Sequence, residues 1–272
     1  MSDAAPRSIH DTFAQVRARR GIALMPFLSA GYPDLATTEA ALPALEAAGA
    51  SLIEVGFPFS DPIADGPVIQ ESYTVALSKK LKVADVFESV SRARQKVSIP
   101  LVSMVSYSIV YRYGVDRFVA AARLAGVGGL ILPDLPPPEA QKICDQVRAG
   151  GLDTILLVAP TTTPQRRSEI ARLCSGFVYY LSVSGITGER DTLPPNLESN
   201  VRQMKELTDT PVCVGFGISK PAHVAQLRGI ADGAIVGSAV VKRMKGRLND
   251  GPGALAAEVG ALTRELLSNV SD

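Results

Sequence analysis

Eight short apolar runs punctuate the chain, each bounded by glycine or proline and followed by a segment with helical periodicity. Within each run the apolar residues are continuous rather than alternating, which is typical of parallel strands covered by helices on both faces. An open doubly wound sheet or a closed barrel could contain such units, and eight of them in 272 residues favour the barrel. We predict an α/β fold, a (β/α)8 TIM barrel in one domain over residues 1–272. The predicted strands are residues 21–28, 52–55, 100–105, 130–132, 154–158, 177–181, 212–215 and 233–236.

Two helices are expected in addition to the regular units. Ile9, Phe13 and Val16 recur at helical spacing ahead of the first strand, which indicates an N-terminal helix. The loop after strand 2 is followed by an extra helical stretch over residues 68–80. The loop after strand 6, residues 183–196, is long and contains glycines, charges and prolines, so we interpret it as a mobile lid.

Charge and hydropathy exclude several classes of protein. The chain has 28 basic and 27 acidic residues, so it lacks the positive balance expected of a nucleic-acid-binding surface. No segment approaches the roughly 18 consecutive apolar residues that a membrane span needs, and we expect a cytoplasmic protein. Three cysteines, none in a Cys-x-x-Cys pair, favour buried thiols over a disulfide framework or a zinc site.

The stretch from Leu52 to Pro67, LIEVGFPFSDPIADGP, carries the strongest chemical signal. In a barrel the residues just after each strand form the catalytic face, and Glu54 ends strand 2 between apolar neighbours. Burial raises the pKa of a glutamic acid, which lets it give and take protons near pH 7. The alternative is a Glu54 paired with an arginine from another strand.

Asp65 lies in the loop that follows, and its role is more ambiguous. A second carboxylate could share the site with Glu54. Alternatively, Asp65 followed by Gly66 and Pro67 could cap a helix that begins with proline. A tyrosine near the end of strand 6, Tyr179 or Tyr180, is a further candidate.

Two glycine-rich turns follow strands 7 and 8, GFGISKP and VGSAV. Free backbone amides at the mouth of a strand, close to a helix N-terminus, form an anion site, and barrels commonly bind phosphate there. Ser238 would add a hydroxyl and Gly188 a further amide from the lid. Alternatively, these glycines only permit tight turns.

Groups missing from the strand ends also restrict the chemistry. His10 and His223 fall on predicted outer helices, so an imidazole-based metal site or histidine relay is disfavoured. No lysine follows any predicted strand, which argues against a Schiff-base aldolase. Carboxylates beside a phosphate site suit a substrate that carries its own electron sink.

Six motifs at strand ends resemble the tryptophan synthase α subunit family in the same order, and the similarity spans roughly residues 8–265. The motifs are LIEVGFPFSDPIADGPVIQ, MPFLSAGYPD, LILPDLPPPE, YYLSVSGITG, GFGIS and VGSAV. The resemblance implies a barrel that cleaves indole-3-glycerol phosphate to indole and glyceraldehyde 3-phosphate.

The resemblance also assigns roles to single residues. It implies that Glu54 shuttles protons, that Asp65 holds the indole N–H and stabilises positive charge on the ring, and that Tyr179 lies near both carboxylates. Thr187, in the lid, would close onto the loop that bears Asp65. The implied apolar contacts of the indole are Phe27, Ile69, Phe216 and Ile235, and the implied phosphate contacts are Gly188, Gly217, Gly237 and Ser238.

The family works as an αββα heterotetramer in which indole passes to a β subunit. Pyridoxal phosphate is then expected only on that β subunit, and no cofactor on this chain. The expected docking residues are Pro58, Asp61, Asp134 and Pro136. Two other functions stay open: a phosphate-sugar isomerase or epimerase on the same barrel, and a non-catalytic subunit that activates a β-type partner.

Overall fold

The computed structural model describes residues 7–62, 65–182, 193–215 and 217–269. Within them, nine strands form one parallel sheet and twelve helices surround it. The strands are β1 Ala23–Ser29, β2 Ile53–Gly56, β3 Leu101–Met104, β4 Gly129–Ile131, β5 Asp153–Ile155, β6 Leu157–Val158, β7 Val178–Leu181, β8 Val212–Gly215 and β9 Gly233–Val236. The helices are α1 Ile9–Ala18, α2 Leu35–Ala47, α3 Pro67–Ser78, α4 Val83–Arg94, α5 Tyr107–Tyr113, α6 Val115–Leu124, α7 Pro137–Ala149, α8 Pro164–Leu173, α9 Leu197–Lys205, α10 Pro221–Leu227, α11 Ser238–Lys245 and α12 Pro252–Leu267.

The sheet closes through the fifth predicted strand. Its order is β5-β4-β3-β2-β1-β9-β8-β7-β6, so its two edges, β5 and β6, are consecutive in the chain and separated only by Leu156. Backbone hydrogen bonds continue on both sides of this point: Leu132 N donates to Ile155 O, and Tyr179 N donates to Leu156 O. β5 and β6 are therefore two halves of one barrel strand, and the predicted TIM barrel is confirmed.

Helix α1 covers the N-terminal end of the barrel, where β4 and β7 begin. Its predicted apolar stripe is buried, and the rings of Phe13 and Phe177 meet with centroids 6.0 Å apart. A side chain at Gly129 would lie 3.0 Å from Cδ1 of Ile9, so glycine leaves room for this helix. Because this end is closed, the opposite end, where the strands terminate, is the one open to a ligand.

The extra helix after β2 is present as α3, which begins at Pro67 as expected of a proline at a helix start. A second short helix, α5, follows β3 and was not predicted. All three cysteines are buried free thiols, in agreement with the sequence prediction. In the part of the chain that the structure describes, no helix is long and apolar enough to span a membrane.

Candidate active site

Glu54 lies inside the barrel wall, in the middle of β2. It is paired with Phe27 on β1 and with Val102 on β3, and its exposed fraction is 0%. Neither carboxylate oxygen has a hydrogen-bond partner among the described residues, so the expected alternative of an arginine partner is wrong. Burial first, and the Asp65 carboxyl second, raise the pKa of Glu54 well above its usual range.

Asp65 supplies the second carboxyl group, from the loop between β2 and α3. The amide of Gln70 donates to its backbone oxygen at 2.7 Å, which ties the end of this loop to the first turn of α3. Gly66 occupies the N-cap position of α3, so the structure does not support the alternative capping role of Asp65. Burial raises the pKa of Asp65 to about 6.

Two glycines at strand ends create the space in which the aromatic groups of the site lie. A Cβ on Gly56 would lie 2.4 Å from the ring of Phe27 and 2.7 Å from the hydroxyl of Tyr73. A Cβ on Gly215 would lie 2.4 Å from ring and hydroxyl atoms of Tyr179. The Tyr179 pKa is raised by burial, and then by Glu54 and Asp65, so this tyrosine stays protonated beside the two carboxyls.

A pocket opens next to the carboxyl pair and is lined by apolar side chains and carboxyl groups together. Tyr73 lines it but was not predicted from the sequence. Its signal was the spacing on α3, because Tyr73 lies one helical turn after Ile69 and both are 3% exposed. The lining residues are Phe57, Phe59, Asp61, Pro62, Asp65, Tyr73, Met104, Val105, Ser106, Pro133, Asp134 and Leu157.

The predicted phosphate turns lie after β8 and β9. Gly217 has φ +79°, a conformation that favours glycine, and Gly237 is the N-cap of α11. Ser238 begins α11 directly, whereas α10 begins only at Pro221, so the helix-dipole argument applies to the turn after β9. Phe27 lies between the Gly56 end of the site and the turn after β9, because its Cβ is 3.9 Å from the position that a Gly237 Cβ would take.

Other predicted site residues are distributed as follows. Ile235 is buried in β9, where it pairs with Met25. Thr187, Gly188 and Phe216 lie outside the described residues.

The four expected docking residues lie on the loops after β2 and β4. Asp61, Asp134 and Pro136 are exposed, whereas Pro58 is buried and has little surface to offer a partner. The Asp134 carboxylate accepts hydrogen bonds from the Ser106 hydroxyl at 2.6 Å and from Tyr107 N at 2.7 Å. These bonds connect the loop after β4 to the start of α5.

Both histidines lie on helices around the barrel, as predicted, and His223 lies next to the turn after β8. His10 is exposed on α1, and His223 is buried on α10, where its Nδ1 accepts a hydrogen bond from Ser219 N at 3.3 Å. Among the described residues, no group of three or more His, Cys, Asp or Glu side chains is arranged to hold a metal ion.

Comparison with known proteins gives one consistent family. The family model described as tryptophan synthase alpha chain matches residues 13–269. The tryptophan synthase alpha chain of Rhodopirellula baltica is 49% identical over 239 residues, which cover 87% of this chain and 86% of the relative. That of Chloroflexus aurantiacus is 46% identical over 264 residues, covering 97% and 98%.

Solved structures agree with the sequence matches. A structure of Mycobacterium tuberculosis tryptophan synthase is similar with a TM-score of 0.87 at 38% identity, covering 98% of this chain and 99% of that one. A mutant tryptophan synthase alpha-subunit from Pyrococcus furiosus is similar with a TM-score of 0.83 at 38% identity, covering 90% and 98%.

Proposed function

The chain belongs to the tryptophan synthase alpha chain family, and we propose that Glu54 and Asp65 are the groups with which it performs that family's reaction. The reaction is the retro-aldol cleavage of indole-3-glycerol phosphate to indole and glyceraldehyde 3-phosphate, a carbon–carbon lyase step in tryptophan biosynthesis. One observation carries the residue assignment. Among the described residues, the fully buried carboxyl group of Glu54 has no hydrogen-bond partner, and it lies close to the half-buried carboxyl group of Asp65 at the open end of the barrel.

The raised pKa of Glu54 suits a group that both accepts and delivers a proton near neutral pH. Glu54, in its protonated form, delivers a proton to indole C3, which makes the ring an iminium-like cation. Glu54, in its carboxylate form, removes the proton of the glycerol hydroxyl next to the ring, and the new aldehyde forms as the carbon–carbon bond breaks. The bond electrons return to the ring, which restores indole. The ring therefore acts as the electron sink.

Asp65 accepts the indole N–H and, once ionised, stabilises the positive charge on the ring. With its pKa at about 6, most Asp65 side chains are ionised at neutral pH. The buried side chains of Phe27, Ile69 and Ile235 surround the indole in this proposal, and Tyr179 lies beside the carboxyl groups.

The substrate phosphate would bind the backbone amides at Gly217 and Gly237 and the hydroxyl of Ser238, at the N-terminus of α11. Gly188 and Phe216 would complete the substrate site and Thr187 would close the lid, as the family resemblance implies. These three residues lie outside the part of the chain that the structure describes.

The chain works with a β subunit in an αββα tryptophan synthase, and it needs no cofactor, because pyridoxal phosphate belongs to the β subunit. We propose that the exposed Asp61, Asp134 and Pro136 contact the β subunit, and that the buried Pro58 only shapes the loop. A cytoplasmic location fits this biosynthetic role.

The test is to incubate the protein with indole-3-glycerol phosphate, with and without a β subunit, and to measure released indole. Indole release supports the proposal, and its absence even with the β subunit present contradicts it. Inhibition by indolepropanol phosphate but not by a pentose phosphate distinguishes this lyase from a sugar-phosphate isomerase.

A further inference from the structure

Tyr73 is a buried polar residue at the active site to which the proposed reaction gives no role. It lies on α3, whose buried face also carries Ile69, while Gln70, Glu71 and Thr74 point to solvent. Residues four apart lie on the same side of a helix, so Tyr73 faces the barrel on the same side of α3 as Ile69, an indole contact in the proposed function. Tyr73 lines the pocket next to the carboxyl pair, together with Asp65.

The hydroxyl group of Tyr73 lies at the inner rim of the barrel. It adjoins Gly56, which follows Glu54 by two residues, and lies beside the ring of Phe27. Any larger residue at position 56 would collide with the Tyr73 hydroxyl. Tyr73 is 3% exposed, and the side-chain hydrogen bonds described for α3 are made by its neighbours Ser72 and Thr74. A buried hydroxyl normally has a partner, so its neighbours at the pocket are the groups to consider.

In the described part of the chain, the groups facing Asp65 supply no cation for its negative charge. Three other carboxyl groups come from the elements around it: Glu54 on β2, Asp61 in the same loop and Asp134 after β4. The hydroxyls are those of Tyr73 on α3, Tyr179 on β7 and Ser106, and the last donates to Asp134. No lysine, arginine or histidine lies among the described residues that line the pocket.

We propose that Tyr73 is a positioning residue for Asp65: its hydroxyl donates a hydrogen bond, directly or through one water molecule, that holds the Asp65 carboxylate ionised and oriented. The inference rests on the proposed role of Asp65 in the reaction. A hydrogen bond to the charged form of a carboxyl group favours that form, and a water bridge serves nearly as well as direct contact.

Two further observations fit this role. Burial raises the pKa of Tyr73 well above its usual range, and Asp65 and then Glu54 raise it further, so the phenol keeps its proton at every pH at which the enzyme works. Asp65 raises the pKa of Tyr73 more than Glu54 does, which is expected because Tyr73 and Asp65 line the same pocket.

Tyr73→Phe tests the inference, because it removes the hydroxyl and keeps the ring against Phe27. The matched control is Tyr180→Phe, which also removes a buried tyrosine hydroxyl. Tyr180 follows Tyr179 on β7, and its hydroxyl lies near Arg167 rather than near the carboxyl pair. Both variants are expected to keep the melting temperature of the parent protein within a few degrees. The first readout is the pKa of the Asp65 carboxyl by carbon NMR, assigned with Asp65→Asn.

We expect Tyr73→Phe to raise the Asp65 pKa by about one unit, and Tyr180→Phe to leave it unchanged. The ionised fraction of Asp65 then falls about fivefold at about pH 6 and hardly changes above about pH 8. The rate of indole release should follow, with a loss of about fivefold near pH 6 that vanishes at high pH.

An unchanged Asp65 pKa in Tyr73→Phe overturns the inference, and so does a loss of activity that is the same at every pH, which is the result of a purely structural role. The two proposals fail separately. If the parent protein releases no indole, the proposed function is wrong, and the carboxyl titration still decides whether Tyr73 holds Asp65.

Discussion

Gly56→Ala adds a single methyl group at the place where the proposed active site is most crowded. In the structure that methyl would lie 2.4 Å from Cε2 and Cζ of Phe27 and 2.7 Å from the Tyr73 hydroxyl. Ordinary carbon contacts are about 3.5–4.0 Å, so the ring or the strand must move by about 1 Å. The backbone at Gly56 does not have a positive φ, so the substitution tests packing alone.

The expected magnitude follows from this collision. Overpacking by one methyl group in a well-packed core costs about 1–3 kcal/mol of unfolding free energy. Phe27 is a proposed indole contact, and a displacement of about 1 Å in a positioning group can lower a rate by about 100-fold. We therefore expect Gly56→Ala to lose about 1–3 kcal/mol of stability and at least tenfold in indole release.

Gly246→Ala is the matched control, since Gly246 has α-helical dihedral angles and nothing lies within 4 Å of its Cβ position. It should be neutral or stabilising by about 0.4–1 kcal/mol, because alanine has less freedom in the unfolded chain. Urea unfolding and an indole-release assay measure both variants. If Gly56→Ala matches Gly246→Ala in stability and activity, Phe27 and Tyr73 do not meet over Gly56 and the described geometry is wrong.

Three further predictions concern other parts of the molecule. The raised Asp65 pKa means that the folded protein binds more protons than the unfolded chain between about pH 4 and 6. The contribution of Asp65 to the free energy of unfolding is thus full at low pH and is lost as the pH rises through about 6. Urea unfolding at about pH 4 and at about pH 6 should show that Asp65→Asn removes this loss of about 1–3 kcal/mol. If the difference in unfolding free energy between the two pH values is the same in Asp65→Asn as in the parent protein, the raised pKa is refuted. The Asp232 carboxylate, near the closed end of the barrel, accepts hydrogen bonds from Arg17 Nε at 3.0 Å and from Val212 N at 2.9 Å. Asp232→Ala should therefore lower the free energy of unfolding by about 1–3 kcal/mol and leave kcat unchanged. A lower kcat would contradict a purely structural role for Asp232. Burial raises the pKa of the Cys144 and Cys174 thiols to about 11 and about 12, so a thiol reagent should label them only after unfolding, and rapid labelling of the native protein would contradict their burial.

The sequence was sufficient to predict the barrel because its signal is repeated and local. Each buried parallel strand needs a continuous apolar run, and each crossover helix needs its own periodicity, so the two patterns mark the units independently. The division of the fifth strand at Leu156 was not predictable from these patterns, since it depends on the pairing of its two halves with different strands, β4 and β7. Helix α5 was missed because it is only seven residues long and its buried face is a single valine, Val110.

The candidate active site was most predictable where the residue type conflicted with its surroundings. A carboxyl group in an apolar strand is expensive to bury, so Glu54 stood out without any structure. Tyr73 did not, because a tyrosine on an amphipathic helix is ordinary core, and only the rotation of α3 against the barrel brings it to the pocket. Gly56 and Gly215 were likewise visible as glycines, but their aromatic neighbours come from other elements. The burial of Pro58 depends on the fold of its loop.

In the proposed function the buried carboxyl group of Glu54 moves the protons of the lyase reaction. Glu54→Gln tests it most directly, because the amide keeps the shape of the side chain and cannot accept and return a proton. With saturating indole-3-glycerol phosphate and a β subunit present, we expect indole release to fall by about 100- to 10,000-fold while β-subunit binding is unchanged. Turnover within about tenfold of the parent protein, in a variant that still binds the β subunit, would contradict the assignment of Glu54 as the catalytic acid and base.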